Sequence, residues 1–298
     1  MNILAELKKI SQVYKVGGNI MEYIAQIENT SDNSIESIAI SYDFQAGSYI
    51  KHAEENKEFL FNYTNAISKV INKLENYESI LEVGVGEATT LTNLVPKLSA
   101  PQNIYGFDIS WSRLKFAQKY SQLNNTNIQL FMGDLFNSPL LDNSIDVVYT
   151  SHSIEPNGGR EKEALSELYR ITKNYLILLE PSYEHANLAG KQRMEKLGYI
   201  RNLYQTSIEL GYKVIEYRLF DYYSNNLNPT QLLVIKKEDT KYSDITSPFA
   251  CPISKFPLKI YKDLLFCEES LLAYPILGNI PLLLTQYAVI STHFNDFL

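Results

Sequence analysis

Ser79-Ile-Leu-Glu-Val-Gly-Val-Gly-Glu-Ala-Thr89 is the stretch on which the fold turns. The apolar run ending at Val83 predicts a buried strand, and Gly84 and Gly86 supply the bend into a helix. Neither glycine carries a Cβ, so backbone N–H groups can approach a ligand at the helix N-terminus. A dinucleotide loop of the Gly-x-Gly-x-x-Gly kind would put glycine where Thr89 stands, and Glu82 and Glu87 on either side of the turn would repel a diphosphate.

Two carboxylates suit a ligand that carries a sulfonium and an ammonium, and whose single carboxylate can still use the helix N-terminus. S-adenosylmethionine has that constitution. Working outward, Asn103 to Phe107 predicts a second strand ending at Asp108, at a distance from Gly84 that suits an acidic residue reaching ribose hydroxyls. Ile128 to Met132 predicts a third strand leading into Gly133-Asp134-Leu135, and Ile145 to Tyr149 a fourth leading into Thr150-Ser151-His152. In an open parallel sheet ligands bind beyond the carboxyl ends of the strands, so one crevice can collect Glu82, Asp108, Asp134 and Ser151. The plainer readings are a simple turn for the glycines and helix capping for Asp108 or Ser110; the ordered series of polar strand ends favours the cofactor.

This series resembles the class I S-adenosylmethionine-dependent methyltransferases, of the methyltransferase type 11 kind, over roughly Ser68 to Lys237. Glu82-Val-Gly-Val-Gly86 matches that family's first motif, Asp108 with Ile109 the ribose-holding position, and Gly133-Asp134-Leu135 the segment meeting the adenine. Ala88 departs from the pattern, which usually has glycine there. The resemblance implies an α/β, Rossmann-like fold: a seven-stranded, mostly parallel sheet with helices on both faces and a last strand inserted antiparallel. The continuing alternation agrees, with a helix from Glu161 to Ile171, a strand from Leu176 to Leu179, one or two helices within Lys191 to Leu210, and strands at Lys213 to Phe220 and Gln231 to Lys236.

Three parts are expected: a helical extension and lid over residues 1–67, the cofactor-binding domain over 68–240, and a small β-rich unit over 241–298. In the first, Leu4, Leu7 and Ile10, then Ile20, Tyr23, Ile24 and Ile27, fall at helical spacing on either side of a polar break at Thr30 to Ser34. Tyr42, Gln45 and Tyr49 suit a lid over the cofactor, with satellite core packing of the aromatics as the plainer alternative. Tyr49 completes the expected cofactor set of Glu82, Gly84, Gly86, Asp108, Ile109, Asp134, Leu135 and Ser151.

Methyl transfer asks chiefly for alignment, and an alcohol acceptor also asks for a base. His152, just past the fourth strand, is the base candidate, with Glu155 to orient it; a purely structural histidine is the competing reading. The Asn-Pro-Pro-Tyr signature of amide and adenine-nitrogen methyltransferases is missing from this loop. The chain of 298 residues carries a net charge of −7, which argues against a broad nucleic-acid footprint. The expected acceptor is therefore a hydroxyl of a small molecule or sugar, with RNA or protein, or a cofactor-binding scaffold without turnover, as alternatives.

The tail from Ser247, with Cys251-Pro, Tyr274-Pro-Ile and Ile280-Pro, resembles the short bacterial relatives of the zinc-ribbon activator subunit of several methyltransferases. Tetrahedral zinc needs four ligands and the chain has two cysteines, Cys251 and Cys267, so no metal is expected. A unit this small should dock on the sheet or on a second subunit. No export signal or spanning run is evident, which predicts a cytoplasmic protein without membrane contact; the apolar helices and tail leave a homodimer open.

Overall fold

The computed structural model describes residues 3–28, 35–99, 101–238 and 247–297. The polar break expected at Thr30 to Ser34, and the boundary expected at 240/241, lie outside them. Five helices come first: α1 (Leu7–Lys15), α2 (Ile20–Glu28), α3 (Ile35–Phe44), α4 (Ser48–Glu55) and α5 (Lys57–Ile71). Ile10, Ile20 and Ile24 close with Ile3 and Ile40 into a small core of their own, whereas Leu4 and Leu7 of the expected stripe are exposed.

Alternation then takes over: β1 (Ser79–Val83), α6 (Thr89–Leu94), β2 (Asn103–Asp108), α7 (Trp111–Leu123), β3 (Gln129–Met132), β4 (Ile145–Ser151), α8 (Glu161–Ile171), β5 (Thr172–Pro181), α9 (Leu188–Lys196), α10 (Leu203–Glu209), β6 (Lys213–Leu219) and β7 (Thr230–Lys236). The seven strands form one sheet in the order β3-β2-β1-β4-β5-β7-β6. The first five run parallel, and β7 enters antiparallel to both neighbours. Strand residues are apolar on both faces because helices cover both: Ile80, Val147 and Tyr149 join the core with α5, α6 and α7, while Leu81, Val83 and Val148 join the core with α8. The chain order reverses between β1 and β4, which opens a crevice at their carboxyl ends.

The C-terminal strands β8 (Lys259–Ile260), β9 (Leu264–Cys267), β10 (Leu272–Leu277), β11 (Ile280–Pro281) and β12 (Val289–Ile290) form a second small sheet. It seats on the open edge of β3, where Leu282 bridges Met132 in parallel register and Phe249 bridges Leu140. Ile280, Leu282 and Leu284 enter one core of the main sheet, and Phe249, Tyr274 and Leu283 the other. An edge strand left with unpaired N–H and C=O groups is thereby covered. Of the two docking surfaces expected from sequence, the sheet is the one occupied.

Candidate functional site

Val83 ends β1 at the crevice, and the chain turns there through positive φ at Gly84 (67°) and Gly86 (54°). A Cβ on Gly84 would lie 2.3 Å from Ser153 Cβ, so both the dihedral and the close approach of the next loop demand glycine. Ala88, the departure from the family pattern, also sits at φ 54° and is fully buried. A non-glycine residue held there costs of the order of 1 kcal/mol or more, so the loop's shape is imposed by its surroundings.

Three carboxylates stand at the strand ends. Glu82 is buried, accepts a 2.8 Å hydrogen bond from the Tyr149 hydroxyl, and is pushed up to about 8 by burial. Asp108 accepts from Gly86 N at 3.0 Å and Ser110 N at 2.9 Å, tying the end of β2 to the glycine loop; burial raises it against those bonds. Asp134 accepts from Phe136 N at 2.9 Å and is likewise raised by burial. Ser110 caps α7 through its side chain, the capping role weighed for it from sequence.

Glu87 has a second task that the sequence does not show. The sequence pairs it with Glu82 beside the ligand, and its oxygens also accept from Gly47 N (2.8 Å), Tyr49 N (3.3 Å) and Ile50 N (2.7 Å). These are N–H groups at the start of α4, so the carboxylate caps that helix while its residue still lines the cleft.

A cleft of about 200 Å3 results. Tyr49, Glu82, Gly84, Gly86, Asp108, Ile109, Asp134, Leu135, Ser151 and His152 all line it, while Glu155 stands behind His152. The lining also includes Arg113, which the sequence reading missed. Its guanidinium lies between the rings of Tyr42 (4.6 Å) and Tyr49 (4.5 Å), its Nε donates to Tyr42 O at 3.0 Å, and the side chain is buried. No local signal marks Arg113, because its partners lie some sixty to seventy residues away.

His152 takes positive φ (55°), and its backbone N–H donates to Leu179 O. Nδ1 is 2.7 Å from Glu155 Oε2 and Nε2 is 2.8 Å from Thr230 Oγ1. Burial favours the neutral ring, but the hydrogen bond and charge of Glu155, with Glu180 beyond, outweigh it and raise His152 above its ordinary value. Burial likewise opposes charge on Glu155, yet His152, Tyr199 and Asn228 hold it below the usual carboxylate range. An ionised Glu155 only accepts, so Nδ1 carries the proton and Nε2 accepts from Thr230. Glu180 holds the loop from beneath, accepting from the N–H groups of Ser153, Ile154 and Glu155, and burial pushes it up to about 7. Beside these residues, across Ser151 and His152, opens a second cavity of about 330 Å3.

In the C-terminal unit both cysteines are buried and unpaired. Each is followed three residues on by serine: Ser254 Oγ lies 3.6 Å from Cys267 Sγ, and Ser270 Oγ 3.6 Å from Cys251 Sγ. Burial raises Cys251, but bonds from Ser254, Tyr274 and Ser270 outweigh it and bring the thiol to about 7. Among the described residues no group of three or more His, Cys, Asp or Glu is placed to hold a metal. Nor is any described helix long and apolar enough to cross a membrane.

A wound sheet with a glycine cradle at its switch point and acidic strand ends, Arg113 being packed between two tyrosines in the same lining, makes a crevice suited to a cationic nucleoside such as S-adenosylmethionine. Residues 80–175 match the family model described as a methyltransferase domain. That span carries the glycine loop, Asp108, Asp134 and His152. The comparison with curated proteins found no match. Among solved structures, magnesium protoporphyrin IX methyltransferase from Synechocystis PCC 6803, with bound S-adenosylhomocysteine, is 15% identical at TM-score 0.47, covering 70% of this chain and 90% of that one. An S-adenosylmethionine-dependent methyltransferase from Aquifex aeolicus is 17% identical at TM-score 0.43, covering 56% and 87%. A chain of the Haloferax volcanii complex between the Trm112 methyltransferase activator and a protein assigned there as a methyltransferase is 15% identical at TM-score 0.49, covering 65% and 94%.

Proposed function

We propose that the protein transfers the methyl group of S-adenosylmethionine to a hydroxyl of a small molecule or sugar by in-line displacement. The observation that supports this reading is the placement of His152. Its imidazole lines both the cofactor cleft and the second cavity, with Nδ1 anchored on Glu155 and Nε2 accepting from the Thr230 hydroxyl, which an acceptor hydroxyl would displace.

The cofactor supplies a sulfonium leaving group, and the remaining work falls to the chain. Gly84 and Gly86 let backbone approach the cofactor, while Glu82, Asp108 and Ile109, Asp134 and Leu135, and Ser151 hold it along the strand ends. Tyr49, pinned over the cleft by Glu87 and Arg113, excludes water from it. His152 Nε2 takes the acceptor's hydroxyl proton, and Glu155 orients the ring and stabilises the imidazolium that forms. The acceptor oxygen enters from the second cavity, which keeps it on the opposite side of Ser151 and His152 from the nucleoside.

The C-terminal unit, similar to the activator subunit in its Cys-Pro and Tyr-Pro segments, acts in this reading as a fused support for the β3 edge rather than as a metal site. Incubation with labelled cofactor and separated small-molecule, RNA and protein extracts tests the assignment. Label in the small-molecule fraction, lost in His152→Ala, is the expected result. Label in RNA or protein, or in none of the three, overturns it.

A further inference from the structure

The C-terminal unit holds a side-chain cluster that the proposed reaction does not use. Two of its turns are built alike. Each begins with a cysteine, Cys251 or Cys267, has serine three residues on, Ser254 or Ser270, and then passes through positive φ, at Lys255 (60°) or Leu271 (56°). Each closes by pairing its cysteine with the residue five further along: Cys251 N donates to Phe256 O at 2.8 Å, and Cys267 pairs with Leu272 between β9 and β10. Two such turns, each carrying a pair of cysteines with two residues between them, make a common zinc-binding framework. Here serine replaces the second cysteine of each pair.

The four side chains meet crosswise. Ser254 Oγ lies 3.6 Å from Cys267 Sγ and Ser270 Oγ 3.6 Å from Cys251 Sγ, so each hydroxyl touches the thiol of the other turn. A tetrahedral ion with bonds to sulfur of about 2.3 Å sets its ligands about 3.8 Å apart. The backbone thus brings four side chains to the spacing of a metal site, but the donor set does not fit the zinc that the tail's resemblance implies. Zinc takes thiolate, imidazole or carboxylate, and neutral serine hydroxyls stand in two of the four places. Hydrogen bonds close the cluster instead. Ser254 N donates to Cys251 Sγ (3.4 Å), and the hydroxyl of Tyr274, whose ring is fully buried, lies 3.2 Å from the same sulfur. A buried phenol needs such a partner, so Tyr274 ties β10 to the first turn, as Ser254 ties that turn to β9.

We propose that the C-terminal unit is a metal-free ribbon, in which hydrogen bonds among Cys251, Ser254, Cys267, Ser270 and Tyr274 perform the cross-linking that a tetrahedral ion performs in a four-cysteine site. Its folding then draws on no ion. Because Tyr274 and Leu283 belong to a core of the main sheet, neither does the folding of the whole chain. The two turns keep the backbone of a metal site, which sulfur in place of two oxygens would complete.

The test has two arms, both on the full chain. In the first, protein dialysed against a strong chelator is melted with chelator and with added zinc. The same melting temperature in both is expected, with no stoichiometric zinc by atomic emission. Zinc bound one to one by the unmodified protein, or a melting temperature that falls in chelator, overturns the proposal. Tyr274→Phe, which removes only a hydroxyl, should lower the melting temperature by about 2 °C in chelator; an unchanged value speaks against the hydrogen-bonded cluster. In the second arm, Ser254→Cys combined with Ser270→Cys should take up a single cobalt ion, show the absorption of tetrahedral thiolate coordination, and melt at a lower temperature once chelator strips the ion. A double variant that takes up no cobalt, folded or not, refutes the metal-site geometry.

Discussion

Asp43 and Glu87 cap helices across the same cleft in opposite directions. Asp43, at the end of α3, accepts from Ser110 Oγ (2.7 Å), Ser112 N (3.0 Å) and Ser112 Oγ (2.8 Å) at the start of α7. Glu87, in the glycine loop, accepts from the N–H groups that open α4. The N-terminal segment and the sheet domain thus each supply the anion that the other's helix requires. Arg113 fills the space between them, stacked on both tyrosines.

Glu87→Ala should therefore loosen the segment over the cleft without unfolding the sheet. The loss of one such cap costs about 0.5–2 kcal/mol. Affinity for S-adenosylhomocysteine is expected to fall by about tenfold, with Asp43→Ala acting in the same direction. Because both caps hold one segment, the double variant should lose less than the sum of the singles. Isothermal calorimetry on the four proteins checks this; strict additivity, or unchanged affinity in Glu87→Ala, speaks against a latch.

The activity should show an acid limb set by His152. The ring works as a base only when Nε2 is unprotonated, so rate rises with pH through its raised value, placing the midpoint above the ordinary 6.5. Glu155→Gln removes the hydrogen-bonded charge that does most to raise it and leaves only Glu180 opposing burial, so the midpoint should move down. The stability sign follows from the same shift: the His152–Glu155 contribution is fully present below the unfolded value and is lost as pH climbs through the raised folded one. A pH–rate profile whose acid limb is identical in Glu155→Gln would remove His152 from the base role.

Glu82 makes a separate prediction. Held at about 8 against an ordinary 4.5, its carboxyl is mostly protonated in the free protein at pH 7. A cationic cofactor brought alongside lowers that value and expels the proton. Binding at pH 7 should release up to about one proton, visible as a dependence of the calorimetric enthalpy on the buffer's ionisation enthalpy. Glu82→Gln should abolish the release. By linkage, the unmodified protein also loses stability as pH rises from 4.5 through 8, a loss that Glu82→Gln should flatten.

The C-terminal unit should be part of the folding unit. Leu283 is fully buried in the core that also holds Val83 and Leu178, so Leu283→Ala should cost about 2–5 kcal/mol. Ending the chain before Ser247 would strip the cover from the β3 edge and lower solubility as well as melting temperature. A truncated protein as stable and soluble as the full chain would contradict the packing described.

Sequence reading reached the parts of this molecule that are written locally. The apolar runs of β1 to β5, the glycines whose φ must be positive, and the polar residues at strand ends all sit within a few residues of the feature they create. What escaped it depends on distant partners. The capping task of Glu87 appears only when Gly47, Tyr49 and Ile50 arrive from nearly forty residues upstream. Asn228 is one asparagine in a polar loop until Glu155 fixes its amide. Glu180 looks like a strand end, though its burial under three N–H groups of the His152 loop is what positions that histidine. The apolar content of the tail predicted docking, but which surface it covers follows from the open edge that β3 presents in the assembled sheet.

The central claim is that the double-glycine bend at the carboxyl end of β1 cradles S-adenosylmethionine, and calorimetry with its demethylated product tests it most directly. The unmodified protein should bind S-adenosylhomocysteine with measurable heat, and Gly84→Ala, whose new methyl meets Ser153 at 2.3 Å, should bind it at least about a hundredfold more weakly. Gly159→Ala, also at positive φ but with open space around it, should bind normally. Absence of heat from folded, unmodified protein, or full affinity in Gly84→Ala, would contradict the account.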